Sequence, residues 1–255
     1  MKKRFRKISF AVSFVAFAGV ALLSVFTAGA QAQGAAPDYR AIVASPDRGE
    51  ADRDTDKRRK PEQFLAFIGA RAGMKVLDMG AGGGYSTELL ARVVGQSGVV
   101  YAQNPAPMYP RAKERFDERM KNPVMKNAVL ALRNYDDPVP PEARGLDLVT
   151  FFFAYHDVTF MNVDRAKMNR ALFEALKPGG FLVVADHSAK PGDGVNVART
   201  LHRIEESVLR KEIEAAGFKL VAEDDFLRHP EDPRDAMVFR SAVPVDEFVL
   251  KFVKP

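Results

Sequence analysis

The sequence predicts an α/β protein with a mostly parallel, doubly wound sheet and helices on both faces. Short apolar segments alternate with amphipathic helical segments along most of the chain, which is typical of parallel strands joined by crossover helices. Residues 146–153 are apolar along nearly the whole segment, as expected of a central strand buried on both faces. No helical pattern separates the last two predicted strands, so the final strand should enter the sheet antiparallel.

Hydrophobic periodicity and helix-ending residues define the individual elements. We predict strands at residues 74–79, 99–103, 127–133, 146–153, 181–185, 218–222 and 246–254. Helices are predicted to begin near residue 61 and to span residues 85–94, 110–121, 164–176 and 197–216. These elements make one domain over residues 60–255, and residues 33–59, which lack sustained periodicity, are predicted to be an extended leader.

The charge of the chain is unevenly distributed. The 255 residues include 38 Lys and Arg against 33 Asp and Glu, a net charge of +5, and no Cys. The absence of Cys excludes disulfide frameworks, thiolate metal sites and cysteine nucleophiles. Residues 1–7 alone carry five positive charges, so residues 33–255 balance 33 against 33. A neutral domain gives no support to nucleic acid as a partner.

The N-terminal segment predicts export. Residues 8–26 carry no charge, and small residues follow, with A-x-A patterns at residues 28–30 and 30–32. A basic start, an apolar middle and such an end are typical of a secretory signal peptide, which we assign to residues 1–32. The apolar segment is long enough to remain as an uncleaved membrane anchor. In either case the domain is expected to be periplasmic, with membrane contact only through an uncleaved N-terminal segment.

A glycine-rich turn follows the first predicted strand. Residues 78–84 read D-x-G-x-G-x-G, and glycines there allow close approach of the backbone to a ligand and tight packing of the next helix. The dinucleotide pattern G-x-G-x-x-G requires a sixth-position glycine, but Tyr85 or Thr87 occupies that place. The sequence therefore disfavours a nicotinamide-dependent reductase.

This motif resembles that of the class I S-adenosylmethionine-dependent methyltransferases. The resemblance extends to L-K-P-G-G-F at 176–181 and A-A-G-F at 215–218, and covers about residues 60–255. It implies a Rossmann-like, seven-stranded sheet with an antiparallel last strand, and methyl transfer from S-adenosylmethionine to a small molecule. The segments 155–157, 186–187, 201–204 and 248–252 resemble more narrowly an exported group of bacterial predicted methyltransferases.

The resemblance also implies a set of cofactor-binding residues. The turn would pass beneath the amino-acid part of the cofactor, and Asp78 would orient the turn or receive the ammonium group. Asn104 stands where the family has an acidic residue that binds the ribose hydroxyls. Asp136 or Asp137 would either approach the adenine or form a turn before Pro138. Tyr85 and Tyr155 would either flank the sulfonium by cation–π contact or simply pack against their neighbours. The predicted set is Asp78, Gly80, Ala81, Gly82, Gly84, Asn104, Asp136 and Tyr155.

Candidate catalytic residues follow the fourth and fifth predicted strands. His156, with Asp157 beside it, and His187 fall where strand ends meet at the edge of a parallel sheet. An imidazole suits a general base, and His156 is the preferred one. His202 lies near the start of the long predicted helix, within reach of the same crevice. Each histidine has an alternative structural role, in binding loop carbonyls or capping a helix.

No metal is expected from sequence spacing. A site built from His156, Asp157, Asp186 and His187 is chemically conceivable, but no H-x-x-x-H or similar pattern supports it. The alternative to a methyltransferase is a non-catalytic exported binding or scaffold protein that retains the fold, motivated by Asn104 and by export. The sequence specifies no oligomeric state.

Overall fold

The computed structural model describes residues 36–255, and within this range seven strands form one sheet. The strands are β1 (Lys75–Met79), β2 (Val99–Asn104), β3 (Ala128–Leu132), β4 (Leu146–Phe152), β5 (Leu176–His187), β6 (Lys219–Asp224) and β7 (Glu247–Val253). Their order is β3-β2-β1-β4-β5-β7-β6. Strands β1 to β5 pair in parallel, whereas β7 lies antiparallel between β5 and β6. The predicted fold class, including the antiparallel last strand, is confirmed.

Helices cover both faces of this sheet. They are α1 (Tyr39–Val43), α2 (Glu50–Arg59), α3 (Pro61–Ile68), α4 (Tyr85–Val94), α5 (Pro110–Arg119), α6 (Tyr155–Val158), α7 (Arg165–Ala175), α8 (Ala198–Leu201) and α9 (Glu206–Ala215), with short 3₁₀ helices at Pro123–Asn127 and Val238–Arg240. Side chains of α1, α3 and α4 pack into one core layer. Those of α6, α7 and α9 pack into the other. The central strand β4 contributes to both, with Val149 and Phe151 in one layer and Leu148 in the opposite one.

Strand β5 is longer than the sequence pattern predicts. It begins at Leu176 rather than at residue 181, because the Pro-Gly-Gly segment continues along β7 instead of forming a free turn. The Gly179 N–H donates to the Lys254 carbonyl at 2.8 Å, and the Lys254 N–H donates to the Gly180 carbonyl at 2.9 Å. Lys254, directly after β7, thus pairs with the Pro-Gly-Gly segment at the start of β5.

The prediction of an extended leader over residues 33–59 is wrong for residues 39–59, which form α1 and α2. Helix α2 buries no apolar residue and no residue completely, so it lacks the apolar stripe by which a helix is recognised in a sequence. Ion pairs hold it instead. Asp56 receives two bonds from Arg48, at 2.7 and 2.8 Å, and Asp52 receives two from Arg119 at the same distances.

The helix predicted over residues 197–216 is interrupted. It divides into α8 and α9 because His202 adopts a left-handed conformation, with φ of 55°. Beyond it, Ile204 forms an isolated bridge with Ser188 after β5. The interruption brings His202 back toward the end of the sheet, which a continuous helix would not do.

The predicted signal peptide, residues 1–32, lies outside the described residues. In the part of the chain that the structure does describe, no helix combines the length and the apolar character needed to cross a bilayer.

Candidate active site

The carboxyl ends of β1, β2 and β4 open into a crevice of about 1730 Å³. Such a position is the usual ligand site of an open α/β sheet. The crevice is lined by the glycine turn after β1, the end of β2 and the loop after β4, together with α2 and the start of α3. A pocket for one small ligand typically measures roughly 300–1000 Å³, so this crevice has room for a cofactor and a second molecule.

The glycine turn presents its backbone to the crevice at Gly82. Its φ is +55°, and a Cβ placed on it would meet no protein atom closer than the Gly80 carbonyl oxygen, at 3.9 Å. At Gly84 the reason for glycine is different, because a Cβ there would lie 3.1 Å from the Phe116 ring. Gly82 therefore faces open space, while Gly84 lets α5 pack closely against the turn.

Asp78 lies beneath this turn, at the end of β1, and is 1% exposed. Its Oδ1 accepts a bond from Thr150 Oγ1 at 2.8 Å, and its Oδ2 accepts from Ser86 and Thr87 hydroxyls at 2.8 and 2.7 Å. Burial raises the pKa of Asp78, against the opposing effect of these three donors. Because both of its oxygens are engaged in tying β1 to β4 and α4, the geometry favours the role of orienting the turn.

Asn104 at the end of β2 clamps the turn from the side. Its Oδ1 accepts from the Gly82 N–H at 2.8 Å, and its Nδ2 donates to the Gly82 carbonyl at 3.3 Å. Gln103 Oε1 accepts from the Gly80 N–H at 2.9 Å. A carboxylate at residue 104 would be an acceptor only and could not donate to the carbonyl. The amide that departs from the family pattern is thus the group that the turn requires.

A histidine cluster lies beyond β4 and β5. His156 Nδ1 is 2.6 Å from Asp186 Oδ1, and the fully buried Asp186 also accepts from the backbone N–H groups of His156 and His187, each at 2.8 Å. On the other side of the ring, His156 Nε2 lies 3.2 Å from Asp157 Oδ1 and 3.3 Å from His202 Nδ1. Of these residues, Asp157 lines the crevice.

The charges around His156 decide its protonation. Burial alone would lower the pKa of His156, but the carboxylates of Asp186 and Asp157 outweigh it and raise the pKa to about 10. Burial likewise opposes the effect of His156 and His202 on Asp157, whose pKa is lowered overall. An imidazole that is protonated at neutral pH does not fit the free base that the sequence predicts for His156.

Comparison with known proteins agrees with this geometry. A family model described as a methyltransferase domain matches residues 76–180, from β1 through the glycine turn to the start of β5. The chain therefore carries a methyltransferase domain over residues 76–180.

Two curated relatives of this methyltransferase domain are ubiquinone/menaquinone biosynthesis C-methyltransferases UbiE. That of Cronobacter sakazakii is 29% identical over 177 residues, which cover 67% of this chain and 66% of the relative. That of Vibrio campbellii is 33% identical over 122 residues, which cover 47% of this chain and 44% of the relative. The chain thus spans less than two thirds of the length of these relatives.

Solved structures share the fold of the methyltransferase domain at low identity. A SAM-dependent methyltransferase from Aquifex aeolicus is 19% identical, with a TM-score of 0.57, over 80% of this chain and 97% of that chain. The [4+2]-cyclase SpnF is 15% identical, with the same TM-score of 0.57, over 80% of this chain and 82% of that chain. The fold is therefore shared by proteins named for different chemistry.

Four of the residues predicted to bind the cofactor do not line the crevice: Asp78 and Gly84, which shape the glycine turn, and Tyr155 and Asp136. Tyr155 is fully buried, donates to Glu212 Oε2 at 2.8 Å and accepts from Asn169 at the same distance. Asp136 lies 3.9 Å from Lys167 Nζ and does not line the crevice. The cofactor-binding predictions for Tyr155 and Asp136 are therefore corrected. Tyr155 is part of the core between α6, α7 and α9, and Tyr135 lines the crevice instead.

His187 is also misplaced by the sequence prediction. Its side chain is 7% exposed and lies 2.9 Å from Glu247 Oε1, opposite it across β5 and β7. Burial lowers the pKa of His187 to about 3 and raises that of Glu247 to about 7. His187 is therefore neutral at physiological pH and buried inside the sheet, so it does not act in the crevice and the catalytic prediction for it is corrected.

Sequence reasoning missed the contribution of α2 to the crevice. The Arg59 guanidinium lies 3.6 Å over the Phe153 ring, and burial lowers the pKa of Arg59 to about 10. Within residues 36–255 its Nε has no hydrogen-bond partner. Residues 57–60 are all basic, a pattern typical of a solvated helix, and Lys57 is exposed whereas Arg59 is partly buried. The sequence signal for this contribution is the run of basic residues that ends directly before the predicted helix at Pro61.

Proposed function

We propose that the protein transfers a methyl group from S-adenosylmethionine to a small-molecule acceptor in the crevice. The open backbone at Gly82, clamped by Asn104 and supported by Asp78, is the observation that carries this proposal. These residues fit the cofactor, since a glycine turn free of side chains allows a ligand to lie against the backbone. The curated relatives, named as methyltransferases, support the same reaction.

The cofactor supplies an activated methyl group, and the protein contributes mainly alignment. Holding two reactants in line is worth up to roughly 7–11 kcal/mol of the barrier. Gly80 to Gly82 would hold the amino-acid part of the cofactor, and Tyr135 and Phe153 would exclude water from the space between the two molecules. Binding both ligands in one crevice is thus the main catalytic device of this site.

The acceptor would lie between the histidine cluster and Arg59. Asp157 lines the crevice, whereas the His156 side chain is only 3% exposed and its Nε2 faces Asp157 and His202. An acceptor therefore reaches Asp157 before His156. The Arg59 guanidinium, stacked on the Phe153 ring, favours an acceptor with a carboxylate or phosphate group. This preference is tested by incubating the protein and S-adenosylmethionine with a set of small acids and, in parallel, with the neutral amide of each acid. Mass spectrometry then detects which of the candidate acceptors gain a methyl group.

Titration calorimetry tests the proposed function. We expect S-adenosylmethionine and its demethylated product each to bind the purified protein with a dissociation constant in the millimolar range or below. Absence of heat from both ligands would refute the proposal. It would favour the second candidate, a non-catalytic binding protein that retains the fold, for which Asn104 in place of a carboxylate is the specific observation.

We also propose that the protein is exported. The basic, apolar and small-residue pattern of residues 1–32 supports a periplasmic location, with the segment cleaved or retained as an anchor. Cell fractionation followed by N-terminal peptide mass spectrometry distinguishes these outcomes. Full-length protein in the cytoplasmic fraction would contradict export.

A further inference from the structure

Three potential metal ligands converge at the end of the crevice. His156 Nε2 and Asp157 Oδ1 are 3.2 Å apart, His156 Nε2 and His202 Nδ1 are 3.3 Å apart, and His202 Nδ1 and Asp157 Oδ1 are also 3.3 Å apart. The three atoms thus form a nearly equilateral triangle. They come from the loop and helix after β4 and from the junction of α8 and α9, so the triangle exists only in the folded chain.

The dimensions of this triangle match one face of a tetrahedral metal site. With bonds of about 2.0–2.1 Å and tetrahedral angles, neighbouring ligands of a zinc ion lie about 3.3 Å apart. Two imidazoles and one carboxylate are donors suited to zinc and similar first-row ions, and less suited to magnesium or calcium. We propose that His156, Asp157 and His202 bind one divalent transition-metal ion of the zinc class.

The surroundings of His156 support this assignment. A metal-binding histidine typically donates its other ring N–H to a carboxylate, which fixes the tautomer and the orientation of the ring. Asp186 stands in that position, 2.6 Å from His156 Nδ1, and is itself fixed by two backbone N–H donors. A metal ion that displaces the second proton from Nε2 would leave the proton on Nδ1 facing Asp186, with the lone pair of Nε2 directed at the ion.

His202 is held in a conformation that aims it at the cluster. Its φ of 55° is in the left-handed region, which is strained for a residue with a side chain. The ring packs against Phe160 and Phe239, with centroids 6.4 and 5.2 Å away. Strained conformations of this kind cluster at functional sites, and here the strain places Nδ1 within reach of Asp157.

An ion bound here would keep an open position. The side chains of Asp157 and His202 are 33% and 25% exposed, and Asp157 lines the crevice. Three protein ligands with a free fourth position are typical of catalytic rather than structural zinc sites. If the proposed methyl transfer holds, on which this step rests, the free position would bind a hydroxyl, carboxylate or thiol of the acceptor and orient it toward the methyl donor.

The test is zinc binding by untagged, full-length protein that has been stripped with a chelator. We expect calorimetry to give one Zn²⁺ per chain with a micromolar or tighter dissociation constant, and Co²⁺ to give visible absorption bands. Asp157→Asn and His202→Ala should each weaken Zn²⁺ binding at least 100-fold. The matched control is His229→Ala, since the His229 side chain is 26% exposed and lies 3.1 Å from the Glu231 carboxylate. The affinity of this variant for Zn²⁺ should equal that of the unaltered protein.

Each other outcome overturns the proposal. If the unaltered protein binds no Zn²⁺, or if the two cluster variants bind as tightly as His229→Ala, the ion does not occupy this site. Thermal denaturation confirms that the variants fold, and both substituted side chains are partly exposed. Binding of S-adenosylmethionine is measured separately on the metal-free protein, so a negative zinc result leaves the proposed methyl transfer intact, and a negative cofactor result leaves the metal site intact.

Discussion

The open space above Gly82 makes a sharp prediction about ligand binding. In Gly82→Leu the new side chain has no protein atom within 3.9 Å of its Cβ, so it would project into the crevice where the cofactor is proposed to lie. We expect the affinity for S-adenosylmethionine and for its demethylated product to fall at least 100-fold, which corresponds to about 2.8 kcal/mol. Calorimetry measures the loss directly.

The same substitution also strains the backbone, and a second glycine separates the two effects. A residue with a side chain at positive φ costs about 1–2 kcal/mol, which for a chain of this size lowers the melting temperature by roughly 2–8 °C. Gly145 has φ of +63°, a comparable absence of neighbours around its Cβ, and a position outside the crevice. Gly145→Leu should therefore lower the melting temperature by a similar amount without changing ligand affinity.

The comparison of the two variants can refute the reasoning. If Gly82→Leu binds the cofactor within threefold of the unaltered protein, then the ligand does not lie against the turn and the cofactor site must be elsewhere. If both variants lose affinity equally, the loss comes from strain transmitted through the fold rather than from occupied space.

The remaining predictions concern stability, each measured as the free energy of unfolding in urea. Thr150→Val removes a donor to Asp78 Oδ1 and should cost about 1–3 kcal/mol; an unchanged value would show that this buried oxygen finds another donor. Asp56→Ala leaves the Arg48 guanidinium, whose side chain is 1% exposed, without its carboxylate partner and should lower the free energy of unfolding by about 3–5 kcal/mol. Proteolysis of α2 should also become faster, and an unchanged rate of proteolysis would contradict the role of this ion pair in docking the helix. Burial raises the pKa of Glu247 from 4.5 to about 7, so its contribution to stability is complete below pH 4.5 and is lost as the pH rises through 7, by about 3 kcal/mol. The Glu247→Gln variant should not lose this stability as the pH rises. Parallel pH profiles of the free energy of unfolding for the variant and the unaltered protein would contradict this prediction.

The sequence predicts the part of this fold that apolar periodicity records. The segment from β1 to α4 is predictable because a buried strand, a glycine turn and an amphipathic helix each have a local pattern. The direction of β7 is predictable for a different reason, since a short polar connection cannot make a parallel crossover. These arguments depend only on neighbours along the chain.

Features that depend on distant partners escape the same reasoning. Helix α2 is stabilised by Arg119 and Arg48 rather than by an apolar face, so its charged sequence has the composition of an exposed leader. His202 reaches the cluster only because its own backbone turns left-handed, which no neighbouring glycine or proline indicates. Tyr155 was assigned to the crevice from its place after β4, but α6 turns its ring into the core.

The clamp made by Gln103 and Asn104 has a consequence for how a ligand would enter. Both side chains that hold Gly80 and Gly82 are amides, which stay uncharged at every pH at which the protein is folded. The turn therefore holds its conformation without a bound ligand, and little conformational entropy is lost when a ligand binds. An acidic residue at position 104 would instead make the shape of the turn depend on pH. This chain therefore gives up a charged contact to the ligand and gains a binding loop whose conformation is preorganised and independent of pH.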